Sequence, residues 1–110
     1  MSVTGRIYEN DPLKLYITIE DDIRTINDQK IVLRFPNGEQ TTYDATLESG
    51  ATETSGQISY EIPADILYEG KQYRAWCLIQ YNVGEAYRTS GSADDADLIF
   101  DVYPAGNKKV

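Results

Sequence analysis

The run from Leu67 to Tyr81, LYEGKQYRAWCLIQY, limits what this chain can fold into more than any other stretch. A turn signal, Tyr68-Glu69-Gly70, opens it, and about ten residues of strand formers follow. Side chains alternate across a strand, so Tyr73, Ala75, Cys77, Ile79 and Tyr81 share one face, and Arg74, Trp76, Leu78 and Gln80 share the other. Both faces carry large apolar groups. A strand with one solvated side alternates apolar with polar, so this pattern predicts a central strand, covered by a core beneath and by a partner on its outer side.

The remaining segments read as strands to surround it. Leu13, Leu15, Ile17 and Ile19 alternate cleanly over residues 13–20, and Glu20-Asp21-Asp22 ends the run. Ile23 or Ile26 is expected to tuck inward from the loop that follows. Lys30 to Phe35 aligns Ile31, Leu33 and Phe35. Pro36-Asn37-Gly38 then supplies a hairpin turn, since Pro presets the first φ and Asn-Gly accepts positive φ. A more polar strand is predicted over residues 40–47, a loop over 49–56, and another alternating strand over 57–62. Pro63 to Leu67 is the one segment suited to a helical turn. Glu85 to Thr89 continues as a ribbon, residues 90–96 are loop, and residues 97–103 close the sheet. Residues 1–12 form an N-terminal arm or edge strand anchored by Ile7 and Tyr8, residues 13–104 the folded body, and residues 105–110 a flexible tail. About seven strands bounded by turns, with no long amphipathic helix, predict an all-β protein, an antiparallel β-sandwich.

Composition removes whole classes of function. The chain of 110 residues has no histidine, which leaves no His general base, no Ser-His or Cys-His pair and no His metal ligand. Its single cysteine, Cys77, cannot form an internal disulfide and is read as a small buried hydrophobe. Eighteen acidic against ten basic side chains give a net charge of −8, which disfavours nucleic acid and anionic membranes and suits a basic protein partner. No apolar run is long enough to cross a membrane as a helix, and the first residues lack the features of a secretory leader. Two acidic clusters, Glu20-Asp21-Asp22 with Asp28 and Asp94-Asp95-Asp97, are where an oxygen-rich calcium site would form. No D-x-D-x-D-G loop accompanies them, so they are read as solvated faces and no cofactor is expected. Any of the acids can be nominated for a catalytic carboxylate pair, so that signal singles out none. No enzymatic activity is expected.

Nine tyrosines and one tryptophan exceed what a sandwich core needs. Tyr16, Arg74, Trp76 and Leu78 lie on faces opposite the strongest core stripes, and Tyr, Trp and Arg concentrate in protein–protein hot spots. Two readings of that outer face stand side by side. Either it docks on a neighbouring subunit, or the chain's own tail or arm covers it. An exposed Trp also suits the sugar-stacking platform of a carbohydrate-binding or adhesion module.

Leu67, Gly70 and Tyr73, entering a strand, resemble the E–F corner of immunoglobulin-like and fibronectin-type sandwiches, where a Tyr bonds back to the preceding loop. The resemblance implies that Tyr73 is structural, with a backbone partner upstream. The wider order of motifs extends it: KIVLRFPNG, then SGQISYEIPADILYEGKQYRAWCLIQY, then DLIFDVYP. That order is similar to the small Ig-like domains in the structural proteins of tailed bacteriophages, including the N-terminal domain of upper baseplate proteins, and covers most of residues 13–104. The resemblance implies an immunoglobulin-like sandwich made in the host cytoplasm and carried in the virion. Its partners would be other virion proteins or further copies of itself, at the head, the connector or the tail and baseplate.

Overall fold

The computed structural model describes residues 6–107. Nine strands follow one another: β1 (Ile7–Tyr8), β2 (Leu13–Ile19), β3 (Asp28–Arg34), β4 (Gln40–Asp44), β5 (Thr46–Leu47), β6 (Gly56–Ile62), β7 (Gly70–Gln80), β8 (Arg88–Thr89) and β9 (Leu98–Tyr103). They form two sheets. The larger runs β1-β9-β7-β3-β4, with β8 also paired to β7, and the smaller runs β2-β6-β5. The alternating segments bury one side each: Leu15, Ile17 and Ile19 of β2 and Ile58 and Ile62 of β6 face Ile31 and Leu33 of β3 and Tyr73, Ala75, Cys77 and Ile79 of β7. Ile23 is the loop residue that fills the core completely, while Ile26 packs at its margin. β7 is central, flanked by β3 along seven register positions on one side and by β9 and β8 on the other.

Four local expectations are corrected. The sheets are not wholly antiparallel, because β1 runs parallel to β9, with Ile7 opposite Val102 and Tyr8 opposite Tyr103. The strand expected over residues 40–47 is two: at the buried Ala45 the chain leaves β3 and crosses to β6, and Gln29 fixes the crossing from both sides. Its carbonyl accepts the Ala45 N–H at 3.1 Å and its side-chain amide donates to the Ala45 carbonyl at 2.6 Å. The segment Pro63–Leu67 is a turn and not a helical one, since Asp65 adopts φ +73°, the left-handed region that ends a right-handed helix. Among the described residues the count is nine strands and not about seven, three of them only two residues long. Beyond Tyr103 the chain forms a 3₁₀ turn, Ala105–Asn107, tied down by the Ala105 N–H to Glu9 at 3.1 Å. Residues 1–5 of the expected arm and 108–110 of the expected tail lie outside the described residues.

Candidate interaction surfaces

The corner between β6 and β7 is built around Tyr73. Its ring is wholly buried, stacked on Phe100 at 5.2 Å between centroids and edge-on to Phe35 at 5.5 Å. Its hydroxyl donates to the Tyr68 carbonyl at 2.5 Å and accepts the Tyr68 N–H at 3.0 Å, so one side chain closes a five-residue loop twice. Burial pushes the Tyr73 phenol above its ordinary pKa. Leu67 lies under the loop, and its carbonyl accepts the Asn10 N–H, which ties the turn between β1 and β2 to the same corner. A side chain at Gly70 would come within 2.6 Å of Pro36, so this glycine lets the β3–β4 turn pack against the corner. Past Gly70 the ladder to β9 bulges, with Gln72 at φ +68° donating its N–H to Asp101 at 3.0 Å.

On the outer face of β7, Trp76 is only 7% exposed and Val32, its cross-strand partner, is buried with it. The cover is the chain's own loop from Ser90 to Asp97. Arg74 donates to the Ala93 carbonyl at 2.8 Å and to Gln72 at 2.9 Å. Ser90 pins the loop's start: its N–H donates to the Cys77 carbonyl at 3.0 Å, and its hydroxyl accepts the Cys77 N–H at 2.8 Å and donates to Asp97. Gly91 sits directly over Trp76. A Cβ there would overlap the Asp95 carbonyl and stand 3.3 Å from the Trp76 Cβ. Trp76 is therefore corrected from a docking residue to a covered one, and the covering segment is neither tail nor arm. Leu78 is half-buried opposite Lys30 and Thr89. Tyr16 is 44% exposed, with the Lys14 ammonium 5.2 Å above its ring. It projects from β2 in the smaller sheet, so the structure does not gather it with Arg74, Trp76 and Leu78, which face outward from the larger one. Behind Trp76, burial raises the Cys77 thiol to about 12, which leaves it protonated and unreactive at neutral pH.

Three acids of the first cluster, Asp21, Asp22 and Asp28, each have their own partner. Tyr81 donates to Asp21 at 2.9 Å, Arg24 pairs with Asp22 at 2.9 Å, and Tyr87 donates to Asp28, with Lys30 3.4 Å away. The Tyr87 hydroxyl, helped by Lys30, holds the Asp28 carboxyl below its usual range, and Arg24 does the same for Asp22. Among the described residues no three metal-ligating side chains converge.

A feature the sequence reading missed lies between β2 and β9. An apolar groove of about 390 Å³ is walled by Leu13, Lys14, Leu15 and Tyr16 on one side and Leu98, Ile99 and Phe100 on the other, with Ile7 at its foot. Ile99 is 52% exposed there. The available signal was the uninterrupted Leu98-Ile99-Phe100, more apolar than one buried face requires. A separate depression is lined by Thr18, Ile19, Glu20, Ser90 and Asp97.

Comparison with protein-family profiles, with curated proteins and with solved structures finds no match to the chain.

Proposed function

We propose that the chain is an immunoglobulin-like assembly module, a non-enzymatic structural or accessory component of a tailed-phage virion. The observation that carries the reading is the Tyr73 corner: a buried tyrosine at the entry to the central strand, bonded twice to the backbone five residues upstream. Its setting supports the same reading, with a first strand parallel to the last and two sheets ordered β1-β9-β7-β3-β4 and β2-β6-β5. The order of motifs along the chain then supplies the phage context. A structural role is supported by how the polar groups are used: Tyr87, Ser90 and Arg74 each spend hydrogen bonds on fixing loops to strands, and Tyr81 ties the loop after β7 to the loop after β2.

The carbohydrate-binding alternative leaned on an open tryptophan, and Trp76 lies under the 90–97 loop. Sedimentation of the purified chain, alone and with tailed-phage particles, tests the choice. Co-sedimentation with particles is the expected result. A chain that ignores particles and binds a glycan array overturns it.

A further inference from the structure

We propose that β4 is a self-association edge: two copies of the chain pair their β4 strands antiparallel about a twofold axis at Thr42, which joins the larger sheet of each into one. This goes beyond the assembly reading, since it is argued from the strand itself and holds whether or not the chain joins a virion.

The edge is open. β4 ends the larger sheet, paired with β3 over an unbroken register of five positions and with nothing among the described residues on its other side. Gln40, Thr41, Thr42 and Asp44 are exposed, and Tyr43 is half-buried. Edge strands present unpaired N–H and C=O groups, and no proline, glycine or bulge blunts this one. Residues 1–5 and 108–110 are too short to cover it. β1 lies at the opposite end of the same sheet, four strand steps or about 19 Å away, whereas five extended residues before Arg6 span about 17 Å. Asn107 is held on the β1 side through Ala105 and Glu9, and three residues beyond it span about 10 Å. Of the other strands that end a sheet, β1 and β5 are two residues long, and β2 borders the groove at whose foot Ile7 stands.

Hydrogen-bond parity sets the register. The Phe35 N–H donates to the Glu39 carbonyl at 2.8 Å, and at the other end of the ladder the Ala45 N–H donates to the Gln29 carbonyl at 3.1 Å. Hydrogen-bonded pairs alternate along an antiparallel ladder. Thr41 and Tyr43 therefore spend their backbone groups on β3, while Gln40, Thr42 and Asp44 point theirs outward. An axis at Thr42 sets Thr42 opposite its own copy and Gln40 opposite Asp44 of the second copy. Every outward N–H and C=O of both strands is then paired. An axis at Thr41 leaves Asp44 unpaired, and one at Tyr43 leaves Gln40 unpaired.

The side chains select a second copy over an unrelated strand. Asp44 is held from one side by Lys30 at 2.5 Å, yet its side chain stays 86% exposed. Arg34 reaches over Gln40 at 3.3 Å and meets no carboxylate among the described residues. In the pair, Gln40 stands against Asp44 of the second copy, so each Arg34 is brought towards the carboxylate it lacks, twice over by symmetry. On the inner face Tyr43, stacked on Tyr60 at 4.4 Å, stands opposite Thr41, an aromatic side chain against a β-branched one. The chain carries −8 in total, but this edge mixes Lys30 and Arg34 with Asp44.

The test is residue-resolved amide exchange of the full chain against concentration, with sedimentation alongside. Raising the concentration is expected to slow exchange at Gln40, Thr42 and Asp44 while the sedimenting mass doubles. Thr41 and Tyr43, already bonded to β3, should not change. Thr42→Pro removes an outward N–H and no ladder bond, which an edge strand tolerates, and should abolish pairing while dilute protein keeps its melting temperature. Thr42→Lys and Thr42→Glu set like charges opposite each other at the axis. Each alone should pair about fivefold more weakly, and mixing the two should restore pairing. A chain that stays monomeric at every concentration overturns the proposal. So does a dimer that Thr42→Pro leaves intact, or protection at 40, 42 and 44 that arises only with particles, which assigns the edge to another protein. Lys and Glu variants that fail to pair when mixed overturn the register, and the proposal with it. A chain that pairs through β4 yet ignores particles keeps this inference and loses the virion reading.

Discussion

The two faces of β7 are both buried, by different means. Tyr73, Ala75, Cys77 and Ile79 meet the opposing sheet, where Leu15, Ile17 and Ile58 are themselves held by strand pairing. Trp76, one residue out of phase, is covered by a loop held down by an arginine, a serine and a glycine. Two layers of strands exclude water cooperatively, whereas a loop opens at the expense of a few hydrogen bonds. The same apolar content on two faces therefore implies a global core on one side and a local lid on the other. That difference can be broken by substitution.

The largest effect is expected on the inner face. Tyr73→Ala removes a fully buried ring, its stacking partners and both corner hydrogen bonds, and should cost about 4 kcal/mol, near the upper range for aromatic truncation. Denaturant unfolding should then show the whole domain shifted, with exchange faster throughout the strands. Trp76→Ala should cost less, about 3 kcal/mol, because one side of its cavity is a loop that can settle into it. Amide exchange should speed up first at residues 90–97. Equal losses from the two variants, with no local opening in the second, would make both faces one core. Next comes Gly91→Ala, which leaves Trp76 in place and forces the loop off the Asp95 carbonyl. It should cost about 2 kcal/mol by overpacking, visible as a lower melting temperature with Trp76 fluorescence shifted to the red.

What the residues announced in advance follows the same division. Period-two patterning placed the inner face of β7, the stripes of β2 and β6 and the corner at Tyr73, because those depend on side-chain alternation and one turn geometry. It also required a cover for Trp76. It had no means of naming that cover, since the fit of Gly91 over Trp76 and the reach of Arg74 to Ala93 belong to a loop with no period. For that reason Trp76 was expected on a docking face and not under a loop. Strand edges are equally silent. Alternation reports which faces of a strand are covered and not which of its edges are paired, so β2 and β9 looked like ordinary members of a sheet and the seam between them went unseen. The crossing at Ala45 was hidden too, because a one-residue sheet switch leaves the pattern of residues 40–47 almost unbroken.

The smallest change keeps the inner face and removes only its polar anchor. Tyr73→Phe preserves the ring packing and deletes both bonds to Tyr68, for about 1 kcal/mol at neutral pH. Its alkaline behaviour is the sharper measurement. Burial raises the Tyr73 phenol in the folded state, so its contribution is fully present below the unfolded value near 10 and is lost as pH rises through the folded value. Tyr43 and Tyr81 are raised by burial in the same direction, and Cys77 moves from 9.0 to about 12. The wild-type chain should therefore lose stability steadily on the alkaline side. Tyr73→Phe should lose less between pH 8 and pH 11, a shallower limb and not a flat one, measured by denaturant titration at each pH. An unchanged limb would mean that the Tyr73 hydroxyl reaches water through the corner, and that the inner face is as open to solvent at its end as the loop over Trp76.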